Sequence, residues 1–257
     1  MLTAEDSGPL ILAIETATRA GSVAVARGET VLCGREGDPS ISHSMNLIEM
    51  IDGLLHEAGA HLSDVDVFAV AVGPGSFTGL RIGLATVKAF AEGNQRPIVG
   101  ISTLAAVAHA SRVKGEVVSL LPAGRGEVFV QMFSVAAAEV APRDEPAHLS
   151  PAETITRYGN LSSVQFSGEG VFKLSEYIRD SADPTRSEES SARIIKPLDA
   201  ARNSVPLAGS IAALALKDYR EGKSVKPESL QAVYVRPSDA EINERWPQPK
   251  QQPPAQA

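Results

Sequence analysis

Seven residues, Gly73-Pro74-Gly75-Ser76-Phe77-Thr78-Gly79, hold the densest chemical potential in this chain. They follow an apolar run, Val67 to Val72, and precede an apolar-periodic segment, Leu80 to Ala91. The pattern predicts strand, glycine-rich turn and helix, with backbone N–H groups free near a helix N-terminus where an anion or another backbone can approach. The sharper signatures fail. A Walker A loop ends in Gly-Lys-Ser/Thr, whereas Gly79 is followed by Leu80 and Arg81. A dinucleotide fingerprint needs glycine where Thr78 stands. A nucleophile elbow needs glycine two residues either side of the serine, and Ser76 has Pro74 and Thr78 there. Two uses remain open: a tight turn for close helix packing, or a direct ligand contact.

Other reactive residue types are scattered. His56 and His61 flank Glu57 in a manner close to a zinc-protease helix. Histidines four apart lie about 40° apart on a helix, but five apart they diverge by about 140°. Gly59 is also placed to end the helix between them. Cys33, the one cysteine, has no histidine or lysine neighbour to activate it and reads as a small buried hydrophobe. No Ser/His/Asp set is tied together by a motif. These residues predict neither a metal site nor a nucleophilic centre.

The elements that would position these residues follow from periodicity. Leu10 to Glu15, Ser22 to Ala26 and Thr30 to Cys33 read as three strands of an antiparallel meander. A helix over Ser44 to Ala58 follows, capped by Ser42 or Ser44 and stopped by Gly59. Strand Val67 to Val72, helix Leu80 to Ala91, strand Ile98 to Ile101 and helix Thr103 to Ala110 complete a βββαβαβα order, which predicts a mixed sheet flanked by helices. A second block starts near Gly115, with Val117 to Leu121 and Val128 to Val135 as a hairpin across Ala123 to Gly126. Ser181 to Ser191 reads as an exposed loop and Val205 to Tyr219 as a helix. Beyond Pro237 the chain turns polar, and Pro247 to Ala257, which holds little besides Pro, Gln and Ala, cannot bury enough surface to order itself; Trp246 lies at its edge.

Composition sets the outer limits. The 257 residues suit one large or two small domains, and 43% apolar with 21% charged residues suits a globular core. A net charge of −7 with no Lys/Arg run argues against gripping nucleic acid unaided. The N-terminus is polar and acidic, no apolar run nears the roughly 20 residues of a membrane span, and the single cysteine fits a reducing compartment; together they predict a cytoplasmic protein with no membrane role.

Two helices carry more apolar or small surface than one sheet requires. Leu47, Ile48, Met50, Ile51, Leu54, Leu55 and Ala58 cover an arc of about 160° on the first, wider than a surface helix needs. The second holds Gly79 and Gly83, four apart, and a helical glycine costs about 1 kcal/mol relative to alanine. Close approach of a neighbouring helix would compensate, whether that helix lies in this chain or in another.

Leu10 to Thr18, Gly21 to Val25, Gly73 to Ala91, Pro97 to Leu104, Gly126 to Phe129 and Val233 to Arg236 occur in an order that resembles the TsaB family of bacterial tRNA threonylcarbamoyladenosine biosynthesis proteins. The resemblance implies an α/β, two-lobed actin-like (ribonuclease H-like) ATPase fold. It implies residues 1–110 as a first lobe with the dimerisation helices, 111–237 as a reduced second lobe and 238–257 as a disordered tail. In the wider superfamily the first hairpin carries an acidic residue and a glycine-rich turn that hold nucleotide phosphates and magnesium. Glu15, Thr16 and Thr18 occupy those positions as a vestigial nucleotide site; Glu15 is one methylene longer than the common aspartate, and the turn lacks the glycines. Pro122 stands where the second hairpin often has aspartate. Val99 to Ala106 lacks the histidine pair of the catalytic relative TsaD.

The resemblance therefore implies a non-catalytic subunit without a cofactor. It pairs with TsaD, is joined by the ATPase TsaE, meets tRNA only through the complex, and forms a homodimer in isolation. The expected partner surface is Leu47, Ile51 and Leu54 on the first helix with Gly75, Ser76, Phe77, Thr78, Gly79, Arg81, Gly83 and Val87 around the second. The competing reading is a stand-alone kinase-like ATPase built on Glu15, Thr16 and Thr18. A glycoprotease is weaker still, for want of metal ligands.

Overall fold

The computed structural model describes residues 8–136, 139–161, 163–180 and 206–235. The predicted loop at Ser181 to Ser191, the tail from 238 and Trp246 lie outside the described residues.

The first sheet is built on β1 (Leu10–Glu15) and β4 (Val67–Gly73). Their near-continuous apolar runs mark strands covered on both faces. Sheet order is β3 (Thr30–Glu36), β2 (Ser22–Arg27), β1, β4, β5 (Ile98–Ser102). The first three strands are antiparallel, and β4 and β5 join parallel to β1. This is the mixed sheet that the strand and helix order predicted. Helix α1 (His43–Glu57) follows Ser42 and ends before Gly59, whose φ of +66° closes the turn. Helix α2 (Phe77–Asn94) begins three residues earlier than its apolar period suggests. Ser76 caps it, its Oγ accepting from the Gly79 N–H at 3.2 Å, which draws the end of the glycine stretch into the first turn.

A short helix, α3 (Thr103–Ala110), joins the lobes. The second sheet runs β10 (Val164–Ser167), β6 (Gly115–Gly124), β7 (Glu127–Ala136), β8 (Glu139–Pro142), with β9 (Ala147–Leu149) also paired to β7. The β6–β7 hairpin turns at Gly124, Arg125 and Gly126, all at positive φ. Helices α4 (Pro151–Tyr158) and α5 (Val171–Asp180) cover one face of this sheet. Asp144 ties it together: its carboxylate accepts from the Met132 N–H at 2.8 Å, from Arg157 at 2.9 Å and from the Tyr158 hydroxyl. Burial first, and that hydrogen bond second, hold the Tyr158 hydroxyl well above the ordinary tyrosine range.

Helix α6 (Leu207–Arg220) corrects the linear division of the chain. Sequence order assigns it to the second lobe, but Ala208, Ile211, Ala212, Ala215 and Leu216 are buried in the first lobe's core. Its first turn is fixed there by the Ala208 N–H donating to Ser22 Oγ at 3.0 Å.

Candidate functional site

The sequence-predicted residues Glu15, Thr16 and Thr18 share the β1–β2 turn, but only Glu15 and Thr18 touch each other; Glu15 and Thr16 are buried, while Thr18 is half-buried. The Glu15 carboxyl folds back under its own turn. Oε1 accepts from the Thr18 N–H and Oε2 from the Thr18 hydroxyl, each at 2.7 Å. Glu15 is buried, and burial pushes its carboxyl above the ordinary value of 4.5. Hydrogen bonds from Thr18 and from the Ala17 N–H oppose that rise, while Glu169 adds to it. Thr16, also buried, donates its hydroxyl to the Gly79 carbonyl at 2.8 Å. As nucleotide contacts, Glu15 and Thr16 are thus corrected: both point into the protein.

The turn is clamped from two directions. On the α2 side the Ser76 N–H donates to the Ala17 carbonyl at 2.8 Å. A Cβ on Gly75 would stand 2.6 Å from Ala17 Cβ, and one on Gly79 would stand 1.9 Å from the Thr16 carbonyl oxygen. On the α1 side His43 Nε2 lies 3.0 Å from the Thr18 carbonyl, and the imidazole fills the space beside Gly21, whose φ is +66°. The Gly73–Gly79 stretch is therefore a docking surface for the first turn.

This finding corrects the expected partner surface. A Cβ on Gly83 would meet Thr16 Oγ1 at 2.3 Å, so the glycine pair is filled by the chain's own β1–β2 turn and not by a sister helix. Leu47 and Ile51 are 3% exposed and Leu54 and Val87 are fully buried, all four in the first lobe's core. The outward positions of α1 are instead Met45 at 78% and Ile48 at 58% exposure. On α2, Thr78, Arg81, Ala85 and Ala89 face solvent at helical spacing. Sequence alone missed this because a stripe 160° wide does not say which flank faces the sheet.

Between the lobes lies a cleft of about 690 Å³. The β1–β2 turn and Pro74 to Phe77 form one wall, Leu121 to Gly124 with Phe129 the other, and Glu169 and Phe172 the rim. Val233 to Val235 cross it. The Val233 N–H donates to the Val72 carbonyl at 2.7 Å, and Tyr234 packs on Phe77 with ring centroids 5.1 Å apart. Arg81 also stacks on Phe77, its guanidinium 3.9 Å from the ring centroid. Phe77 and Gly75 thus belong to the cleft. The cleft walls and, after them, the charge of Glu36 raise the Glu169 carboxyl. Glu169 and Phe172 carried no sequence signal, since nothing local marks a residue that reaches a cleft from another lobe.

Comparison with known proteins settles the family. A family model described as TsaD, tRNA N6-adenosine threonylcarbamoyltransferase, matches residues 38–243. The tRNA threonylcarbamoyladenosine biosynthesis protein TsaB of Escherichia coli is 31% identical over 238 residues, 88% of this chain and 94% of that protein. The chain belongs to the TsaB family. The match to the TsaD model is consistent with the glycoprotease-related group that contains both. The TsaB protein of Haemophilus influenzae is 38% identical over 39% of this chain and 42% of its own length. The solved structure of YeaZ from Pseudomonas aeruginosa superposes with a TM-score of 0.70 at 26% identity, covering 88% of this chain and 99% of its own. A second Pseudomonas aeruginosa structure, of a protein with similarity to peptidase YeaZ, gives 0.72 at 25% identity, over 89% of this chain and the whole of its own.

Proposed function

We propose that this chain is a non-catalytic subunit of the machinery that makes N6-threonylcarbamoyladenosine at position 37 of tRNA, and that it binds and activates the TsaD transferase. The near full-length match to the Escherichia coli TsaB protein carries this reading. In it, TsaE joins the assembly, tRNA is met through the complex, and the isolated chain pairs with itself. The proposed contact face is the exposed side of α1 and α2. Met45 and Ile48 supply apolar area, while Ala85 and Ala89 let a partner helix approach closely. Glu49 and Asp52 on α1 stand opposite in charge to Arg81 and Lys88 on α2. A two-fold pairing of α1 on the partner's α2 would match these signs.

Support for a non-catalytic role comes from the inward-turned Glu15 and Thr16. The described residues hold no group of three or more His, Cys, Asp or Glu that could bind a metal. No helix among them is long and apolar enough to cross a membrane.

Size-exclusion chromatography with light scattering, on the chain alone and with TsaD, tests the reading. The chain alone should run as a dimer, and the mixture as a complex containing both proteins. Met45→Lys combined with Ile48→Lys should leave the circular dichroism spectrum unchanged and weaken both associations at least about tenfold, because two cations would be buried on an apolar face opposite Arg81 and Lys88. Retention of both complexes by the double variant would overturn the surface. Failure of the wild-type chain to bind TsaD, together with ATP turnover by the lone chain, would favour the ATPase reading.

A further inference from the structure

Arg81 is exposed, yet its position is fixed. Its guanidinium lies 3.9 Å from the centroid of the Phe77 ring, one helical turn back on α2, and Phe77 packs in turn on Tyr234 with ring centroids 5.1 Å apart. The backbone beside Tyr234 holds it there. The Val233 N–H donates to the Val72 carbonyl at 2.7 Å, and Gly73 leaves room for the Val233 carbonyl, since a Cβ on Gly73 would stand 2.5 Å from that oxygen. Leu230 anchors this segment in the first lobe's core, and Val235 packs on the core that α3 shares with the second sheet. The stack leaves the guanidinium N–H groups without acceptors. Arg35, Arg96, Arg143, Arg157 and Arg220 each pair with a carboxylate of the chain, whereas Arg81 meets no acceptor among the described residues.

Fixing a long side chain costs rotamer entropy, and a guanidinium ordered before contact loses less of it on meeting a partner. A planar fork of free N–H groups matches a carboxylate best. Carboxylates without partners stand on the neighbouring helix. Glu49 and Asp52 are exposed on the same stripe of α1 as Met45 and Ile48, and among the described residues they make no ion pair with Arg81 or Lys88. Opposite charges left unpaired on adjacent helices become complementary across a two-fold axis that lays α1 of one copy on α2 of another. We infer that Phe77 and Tyr234 are positioning residues for this contact: they hold Arg81 as the receptor for a carboxylate, Glu49 or Asp52, of a second copy of the chain. Tyr234 also lines the inter-lobe cleft, so the cleft and the contact face share one aromatic stack. This role rests on α1 and α2 being the contact face, as proposed above, and names the residues that prepare it.

The test measures dissociation of the full-chain dimer by sedimentation equilibrium, at low and high salt, for the wild type and its variants. Arg81→Ala should weaken the dimer about tenfold at low salt, and by less at high salt. Phe77→Leu keeps apolar volume and removes the ring; it should bring part of the same loss, and in its background Arg81→Ala should cost about threefold or less. Tyr234→Ala should act in the same direction and Tyr234→Phe should keep wild-type affinity, because the ring alone is needed. Arg81→Glu should weaken the dimer further, and joint Glu49→Lys and Asp52→Lys should restore it. The Arg81 Nε–H signal in NMR, displaced by the Phe77 ring, should move to the position of a free arginine in Phe77→Leu, whatever the state of association. Full additivity of Phe77→Leu and Arg81→Ala would mean that the ring packs without positioning the guanidinium, and that outcome overturns the inference. A dimer indifferent to Arg81→Ala, or one that the charge exchange fails to restore, does the same. A wild type that stays monomeric at every concentration removes the contact face itself and the role of the stack with it. Where Phe77→Leu does not fold, Tyr234→Ala, at an exposed position, supplies the same comparison.

Discussion

Glu15 sits where two opposing forces meet. Removal from water favours its neutral form, and the donors of Thr18 and Ala17 favour its ionised form; burial is the larger. The folded chain therefore holds the proton more tightly than the unfolded chain does. The stability that this proton confers is fully present below the unfolded value, near 4.5, and is lost as pH rises through the higher folded value. Glutamine keeps the shape without the titration. The difference in Tm between wild type and Glu15→Gln should thus move against the wild type as pH is raised from 4.5 toward neutrality, measured at matched ionic strength. A difference that is flat with pH, or that moves the other way, would show that the hydrogen bonds and not burial govern this carboxyl. No local rule reveals such a residue from sequence. Glu15 was visible as the acid of the first turn, but periodicity does not say that its carboxyl turns back onto the Thr18 N–H and hydroxyl.

At the scale of elements, the contact between α2 and the β1–β2 turn is the joint most exposed to substitution. The two glycines that permit it meet different atoms. A methyl group at Gly83 would strike the Thr16 hydroxyl, whereas one at Gly79 would strike the Thr16 backbone carbonyl. Both alanine variants should destabilise by about 1–3 kcal/mol, the usual cost of overpacking a close contact, with Gly79→Ala the worse. Thr16→Ala removes the hydroxyl and leaves the next atom beyond 3.4 Å of the Gly83 position. It should therefore rescue Gly83→Ala and fail to rescue Gly79→Ala. Urea denaturation of the single and double variants gives the coupling directly. If both double variants recover, or neither does, the assignment of these glycines is wrong. The glycine spacing was legible as a notch, and so was the strand-turn-helix that holds it. The filler was not, because Thr16 lies 63 residues away in the chain from Gly79. Where a signal was local it carried: the β1 and β4 apolar runs, the Gly59 stop and the β6–β7 hairpin all stand where periodicity and turn residues put them. Where strands were short and half exposed, as in β8, β9 and β10, alternation was too brief to register.

For the whole molecule, the decisive feature is the return of α6 to the first sheet. A chain split at residue 110 into two consecutive lobes would leave the apolar side chains of β1 and β2 without the helix that packs on them, since Ile211, Ala212 and Ala215 belong to the same core as Leu12, Ala24 and Val25. The first lobe is therefore closed by residues that follow the second, a consequence of sheet order that linear reading cannot supply. Residues 8–110 alone should fail to fold, because one face of a five-stranded sheet would be open to water and each large aliphatic side chain left exposed forfeits about 1.5–3 kcal/mol. Joining residues 206–235 to residues 8–110 through a flexible linker restores Ile211 and its neighbours, and with them the Ala208 to Ser22 hydrogen bond. The joined chain should show a cooperative thermal transition by circular dichroism, and the shorter fragment should show none. A cooperative transition in residues 8–110 by themselves would mean that α6 is an accessory to the first lobe, and that the two sheets, not the interleaved chain, define the units that fold.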